Sequence, residues 1–476
     1  MTISGRFVLL LALGVVPVVL LGRDGNVAAL VMVGWIVLCL VLGFVDLSLA
    51  ASARRLSVQR ALPARVRLGE SVTSELYLTN LGARALRGVV RDGWEPSAGA
   101  PTYSPGSTGS TGSTRGSGST RGSGSTRGSG STSTAVRMPV RIPPGERRLV
   151  SLPLTPTRRG ERRVHQVTVR SRGPLGLFGR QATLVAPGRI RVLPPFTSRK
   201  HLPSRLARLR ELDGATSVMV RGPGTEFDSL REYVRGDDVR SIDWRATARR
   251  GADVSGSVDR LVVRTWRPER DRRVVIVIDT GRTSAARIED EPRIDTAFEA
   301  SLLLAALATR AGDRVDLVAY DRRVRARVQG ASGAELLSRM VDTLAVVDPE
   351  LIEMDWTAVP GQVRALTSQP ALVVLLTSID SPGASRGLLS VLPQLTRRHT
   401  VVVASVTDPE VLRAVAERGD REQVYRAAAA ERALLDVARV SAAVRRLGAE
   451  VVTDAPAQLP PALADRYLAL KAAGRL

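Results

Sequence analysis

Arg273-Val274-Val275-Ile276-Val277-Ile278-Asp279 sets five aliphatic residues in a row between an arginine and an aspartate. A run that is apolar on both alternating faces predicts a strand covered on both sides. The chain after it keeps that rhythm. Amphipathic spacing predicts helices over 294–310, 334–347, 388–397, 422–446 and 461–472, and apolar runs predict strands over 315–320, 372–377, 400–405 and 450–453. Val/Leu strands separated by helices imply an α/β doubly wound, parallel sheet from about residue 271 to the end. In such sheets ligands bind beyond the carboxyl ends of the strands. Those ends carry Asp279-Thr280-Gly281-Arg282-Thr283, Asp355-Trp356-Thr357 and Thr377-Ser378-Ile379-Asp380. The same acids and hydroxyls would also suit capping of helix N-termini.

Upstream, Gly222 to Arg249 is dense in charge, with six acids and six arginines between Gly224 and Arg250. Such density suggests paired carboxylates and guanidiniums rather than a solvated face. Thr225 and Asp228 stand at capping-box spacing, Leu230, Tyr233 and Val234 recur at helical spacing, and Gly236 would stop that helix. Asp237 or Asp238 would cap a second turn, and Asp243 a third that brings in Trp244. Gly224-Thr225-Glu226-Phe227, Leu230-Arg231-Glu232-Tyr233, Gly236-Asp237-Asp238-Val239-Arg240 and Ile242-Asp243-Trp244 together resemble the signature of the bacterial domain of unknown function fifty-eight family.

That resemblance implies a membrane tether, a von Willebrand factor A-like domain after the signature, and a MoxR-type AAA+ ATPase as partner. It implies no enzymatic activity. Von Willebrand A domains carry a metal-ion-dependent adhesion site built on Asp-x-Ser-x-Ser, a threonine and a second aspartate. By resemblance Asp279, Thr283 and Asp380 match it, and Thr357 matches more loosely. Gly281 stands where the first serine belongs, so one hydroxyl is missing. Oxygen ligands of this kind suit Mg²⁺. Within the signature, Gly224, Glu226, Phe227, Arg231, Tyr233, Gly236, Asp237, Asp238, Arg240, Asp243 and Trp244 are expected to form an interdomain clasp.

Residues 54–198 read as a β-sandwich-like domain of immunoglobulin type, with strands over 136–142, 148–154, 164–170 and 190–193. Arg172-Gly173-Pro174-Leu175-Gly176-Leu177-Phe178 resembles the family's Gly-Leu-Phe turn. An insert, 97–134, repeats Ser-Thr-Arg-Gly-Ser-Gly and is expected to be a disordered loop. Before the sandwich, 7–22 and 26–45 are apolar runs around Arg23-Asp24-Gly25. They suggest a transmembrane helical hairpin in residues 1–53; a signal peptide followed by one span is the rival. Arg54, Arg55, Arg60, Arg65 and Arg67 follow the second run, which by the positive-inside rule places the soluble domains in the cytoplasm of a multi-pass membrane protein.

The 476-residue chain has a formal charge of +23, and the excess falls within residues 52–270. Anionic lipid headgroups would be attracted to that region. It also makes nucleic-acid binding the rival function class, although aromatics for base stacking are sparse there. One cysteine, Cys39, excludes an intrachain disulfide, and the three histidines, His165, His201 and His399, sit in no nucleophile–base motif. The expectation is therefore a membrane-anchored, non-enzymatic interaction protein.

Overall fold

The computed structural model describes residues 2–103, 134–219, 226–234, 239–250, 261–267 and 272–476. The chain divides into two units, Met1–Leu193 and Pro194–Leu476.

In the second unit the aliphatic run forms β1 (Arg273–Asp279). The sheet continues with β2 (Arg314–Tyr320), β3 (Val324–Val328), β4 (Leu372–Leu376), β5 (Thr400–Val406) and β6 (Glu450–Asp454), in the order β3-β2-β1-β4-β5-β6. All neighbours are parallel except β3, which runs antiparallel to β2. The alternation Val-Arg-Ala-Arg-Val explains why β3 occupies an edge: its arginines can face water, whereas β1 has no polar side to offer.

Alternate residues of β1 feed two cores. Val274, Ile276 and Ile278 pack with α1 (Arg293–Arg310) and α2 (Gly333–Leu344), and with a C-terminal helix, Leu459–Ala472. Val275 and Val277 pack instead with α3 (Val359–Leu366), α4 (Arg386–Thr396) and α5 (Arg421–Arg446). Each such side chain removed from water is worth about 1.5–3 kcal/mol, so β1 is stable only with helices on both faces.

The signature departs from its expected helix. Glu226–Glu232 is a strand, paired antiparallel with Val262–Arg267. Tyr233 N–H extends the pairing by donating to Leu261 O at 2.7 Å. Helical spacing over so few residues is overridden by a partner strand that carries Val262 and Val263, both buried. Gly224, Gly236, Asp237 and Asp238 lie outside the described residues.

In the first unit, Gly25–Leu49 is a 25-residue helix, about 37 Å long at 1.5 Å per residue. It is long and apolar enough to cross a membrane. The preceding run does not form one helix. It breaks into Gly5–Ala12 and Val15–Leu21, with Pro17 in the first turn of the second piece, where its missing N–H does least harm. Trp35 Nε1–H donates to the Leu10 carbonyl beside the break, at 3.2 Å.

Two sheets follow, one of three strands (Leu56–Ala61, Val72–Asn80, Arg147–Leu154) and one built on Gly160–Arg172 and Phe178–Leu193. Leu76, Leu78 and Val150 from the first share a core with Leu86, Val90, Val167 and Val169 from the second. Between them Arg60 binds Asp92 through two 2.7 Å contacts, and Trp94 Nε1–H donates to the same carboxylate at 2.8 Å. Of the insert, the flanking pair Thr102–Tyr103 and Thr134–Ala135 is described; 104–133 lie outside the described residues.

Asp46, near the end of the long helix, is fully buried. Its carboxylate accepts from the backbone N–H groups of Leu175, Leu177 and Phe178 at 2.8, 2.7 and 2.9 Å. A Cβ on Gly173 would come within 2.2 Å of Asp46 Oδ1, so the Gly-Leu-Phe turn needs its first glycine to seat this carboxylate. Asp46→Ala would leave three backbone donors without their acceptor, and the buried Leu177 N–H among them would cost about 1–3 kcal/mol. Trypsin cleavage at the flanking Arg172 and Arg180 is expected to accelerate in Asp46→Ala, measured by time-resolved digestion in detergent. Asp46→Asn, which keeps an acceptor, should cleave more slowly than Asp46→Ala.

Candidate functional site

The carboxyl ends of β1 and β4 meet at Asp279, which is 4% exposed. Its Oδ1 accepts from Gly281 N–H at 2.8 Å and its Oδ2 from the Thr377 hydroxyl at 2.6 Å. Its backbone oxygen accepts from the Ser284 hydroxyl at 2.6 Å, which winds the loop into the short turn Arg282–Ala285. Burial pushes the Asp279 carboxyl up from the usual aspartate range, against the two hydrogen bonds that favour its ionised form. Among the described residues it has no cationic partner.

A second buried carboxylate, Asp321, anchors the neighbouring loop. It accepts from the Thr280 hydroxyl at 3.0 Å and from Arg325 Nε at 2.6 Å. The 350–355 segment is then fastened by Glu350 N–H to Thr280 O, Arg282 N–H to Ile352 O and Asp355 N–H to Asp321 O, each at 2.8 Å. At the rim Arg282 pairs with Glu353 at 2.7 Å.

These loops enclose a cavity of about 30 Å³, lined by Asp279, Thr283, Trp356, Asp380 and Ser385 among others. Three of the four residues expected at a metal site therefore come together. Thr357 does not line the cavity; its hydroxyl donates to Asp355 Oδ1 at 2.6 Å, within its own turn. Asp380 is drawn aside by Arg293, 3.2 Å away. Sequence reasoning missed Ser385, which is 4% exposed and whose Oγ has no hydrogen-bond partner among the described residues. Its placement depends on the turn between Asp380 and α4, for which no sequence motif stands.

Does this donor set fit a small hard cation? Among the described residues no three His, Cys, Asp or Glu side chains converge as a metal cluster, so hydroxyls must complete any shell. A serine at Gly281 could not help, because a Cβ there would meet Ile352 O at 2.9 Å and Asp279 Oδ1 at 3.0 Å. In favour stand, among the described residues, a buried carboxylate with no cationic partner, a buried hydroxyl with no hydrogen-bond partner, and a volume that holds one or two water-sized species. These oxygens are the kind that would suit such a cation, and Asp279 would be its charged ligand.

The signature residues sit apart from this cavity. Asp243 Oδ1 accepts from Arg245 and Ala246 N–H at 3.0 Å each, capping the helix Trp244–Arg250. Its Oδ2 accepts from Arg264 Nε at 2.7 Å. The Ala246 N–H bond, followed by Arg264, holds this carboxyl below the usual range. Trp244 and Arg240 are exposed, while Arg231 and Tyr233 are half-buried at the end of their strand. Glu226 and Phe227 are placed by their backbone in that strand.

Gly281→Ala tests how tightly the loops close. The added methyl is expected to destabilise the second unit by about 1–3 kcal/mol, seen as a lower thermal midpoint, whereas Gly383→Ala, with open space around it, should cost far less.

The family described as "Protein of unknown function DUF58" matches residues 229–451. Uncharacterized proteins of Mycobacterium bovis and Mycobacterium tuberculosis are 25% identical over 263 residues, covering 51% of this chain and 78% of theirs. The CARDB domain of PF1109 from Pyrococcus furiosus is 16% identical and covers 29% of this chain and 94% of that domain, at a TM-score of 0.17. The Escherichia coli alpha-2-macroglobulin from domain MG7 onward is 14% identical, covering 30% of this chain and 17% of that one, at 0.20. The match thus runs from the signature strand through most of the parallel sheet, and it reaches a family whose function is not known.

Proposed function

We propose that this protein is a membrane-anchored, non-enzymatic scaffold of the DUF58 type, whose von Willebrand factor A-like domain docks a protein partner at the carboxyl ends of β1 and β4. The carrying observation is the Asp279 cavity, a recess lined by acids, hydroxyls and Trp356 at the edge where such sheets receive ligands. The sheet order, with helices on both faces, supports the A-like reading. No histidine or cysteine lines the recess, which favours binding over catalysis. A MoxR-type AAA+ ATPase is the partner that the family resemblance implies, in an envelope-associated assembly or chaperone role.

The apolar helix Gly25–Leu49 supports the anchor, with the two shorter helices before it as the other arm of a hairpin. Arg54 and Arg55, exposed directly after it, favour a cytoplasmic exit beside anionic headgroups.

Affinity capture from detergent-solubilised, nuclease-treated membranes tests the docking. A AAA+ ATPase is expected with the wild-type chain, with recovery reduced severalfold by Trp356→Ala at the cavity wall. Equal recovery with both would remove the cavity from the interface. Recovery of nucleic acid instead, when nuclease is omitted, would favour the rival class. For orientation, a C-terminal reporter active only in the periplasm is expected to be silent.

A further inference from the structure

The strongest unexplained group in the molecule is the Ser385 hydroxyl. It is buried and borders the cavity, yet among the described residues it has no hydrogen-bond partner. It stands at the N-cap of α4 without donating to or accepting from that helix's first turn, so it is not spent on capping. Its backbone N–H is engaged separately, by Ser381 O at 3.0 Å. An orphaned buried hydroxyl costs about 1–3 kcal/mol, and the same recess holds Asp279, which forms no ion pair among the described residues.

We propose that Ser385 supplies the hydroxyl that Gly281 withholds, so that a Mg²⁺-class cation in the cavity is held by Asp279, Thr283 and Ser385. Thr357 takes no part. Asp380 stays on Arg293 and reaches the cation only through water. This rests on reading the cavity as a binding site, and it changes the expected ligand set by one residue lost and one gained.

Charge decides the strength. Asp279, Asp380 and Glu353 against Arg282 and Arg293 leave one negative charge over. The N-terminus of α4 opposes a cation as well. Binding should therefore be weak, with a dissociation constant of about 10⁻⁴ to 10⁻³ M, as for other oxygen sites with few charged ligands. Such a cation would keep open positions for water or for a carboxylate of the docked partner.

The test is Mn²⁺ titration of the full chain in detergent, reading free Mn²⁺ by electron paramagnetic resonance. One site per chain is expected. Ser385→Ala should weaken it about tenfold or more, the scale seen when a supporting group of a metal site is lost, while Thr357→Ala should leave it unchanged. Ser385→Ala removes only an unpartnered hydroxyl, so the fold is retained, and an unshifted thermal midpoint without metal checks this. Ser385→Thr, which restores the hydroxyl, should recover binding. No Mn²⁺ binding at 10-fold the expected constant (about 10⁻² M), or equal binding by wild type and Ser385→Ala, overturns the proposal. Loss of this result with ATPase capture intact would leave docking standing, and the converse would leave the cation site standing without it.

Discussion

The burial of β1 on both faces is the constraint from which the second unit follows. Five aliphatic residues in succession cannot be shielded by one layer, so helices must cover both sides of the sheet. The strand then ends by carrying a carboxylate into a region water barely reaches. Asp279 is tolerated because Gly281 N–H and the Thr377 hydroxyl are aimed at it, and those two groups belong to different strand ends. The loops are thus ordered by the need to solvate one acid. What results is a small oxygen-lined recess at the one edge of the sheet where both strand ends and helix starts converge.

The first unit meets the same difficulty twice and solves it in two ways. Asp92 is neutralised by the fork of Arg60, a bidentate pair inside the sandwich. Asp46 has no guanidinium partner among the described residues and is held by three backbone N–H groups of a glycine-containing turn. The second solution is the more exacting, because main-chain donors point inward only where the turn can bend tightly and a side chain is absent. Gly173 satisfies that requirement. One end of the long apolar helix is thereby fastened to the β module, with Arg180 Nε donating to the Leu47 carbonyl beside the buried carboxylate.

The parallel sheet was legible because its signal is local: β1, β4 and β5 are continuous aliphatic runs. The signature was misread as helical from Leu230, Tyr233 and Val234, since the strand that captures it begins only at Val262. The edge strand Val324–Val328, half-polar and short, gave too little contrast to be recognised. Around the cavity, Asp279, Thr283 and Asp380 could be picked out by their places at strand ends. That Thr357 stands off the cavity could not be read in advance, because only the folded turn shows its hydroxyl bound to Asp355.

By itself the sequence determined the class of each region: apolar N-terminal runs, a β-rich middle and a strand–helix alternation around Asp279. These follow from periodicity and composition, which are properties of neighbouring residues. Only the tertiary structure decided that Arg293 claims Asp380, that the Ile352 carbonyl closes the space beside Gly281, and that the Ser385 hydroxyl is left buried without a partner among the described residues. Each of those outcomes joins side chains or loops far apart in the chain. Their separation is set by packing, and no local pattern encodes it.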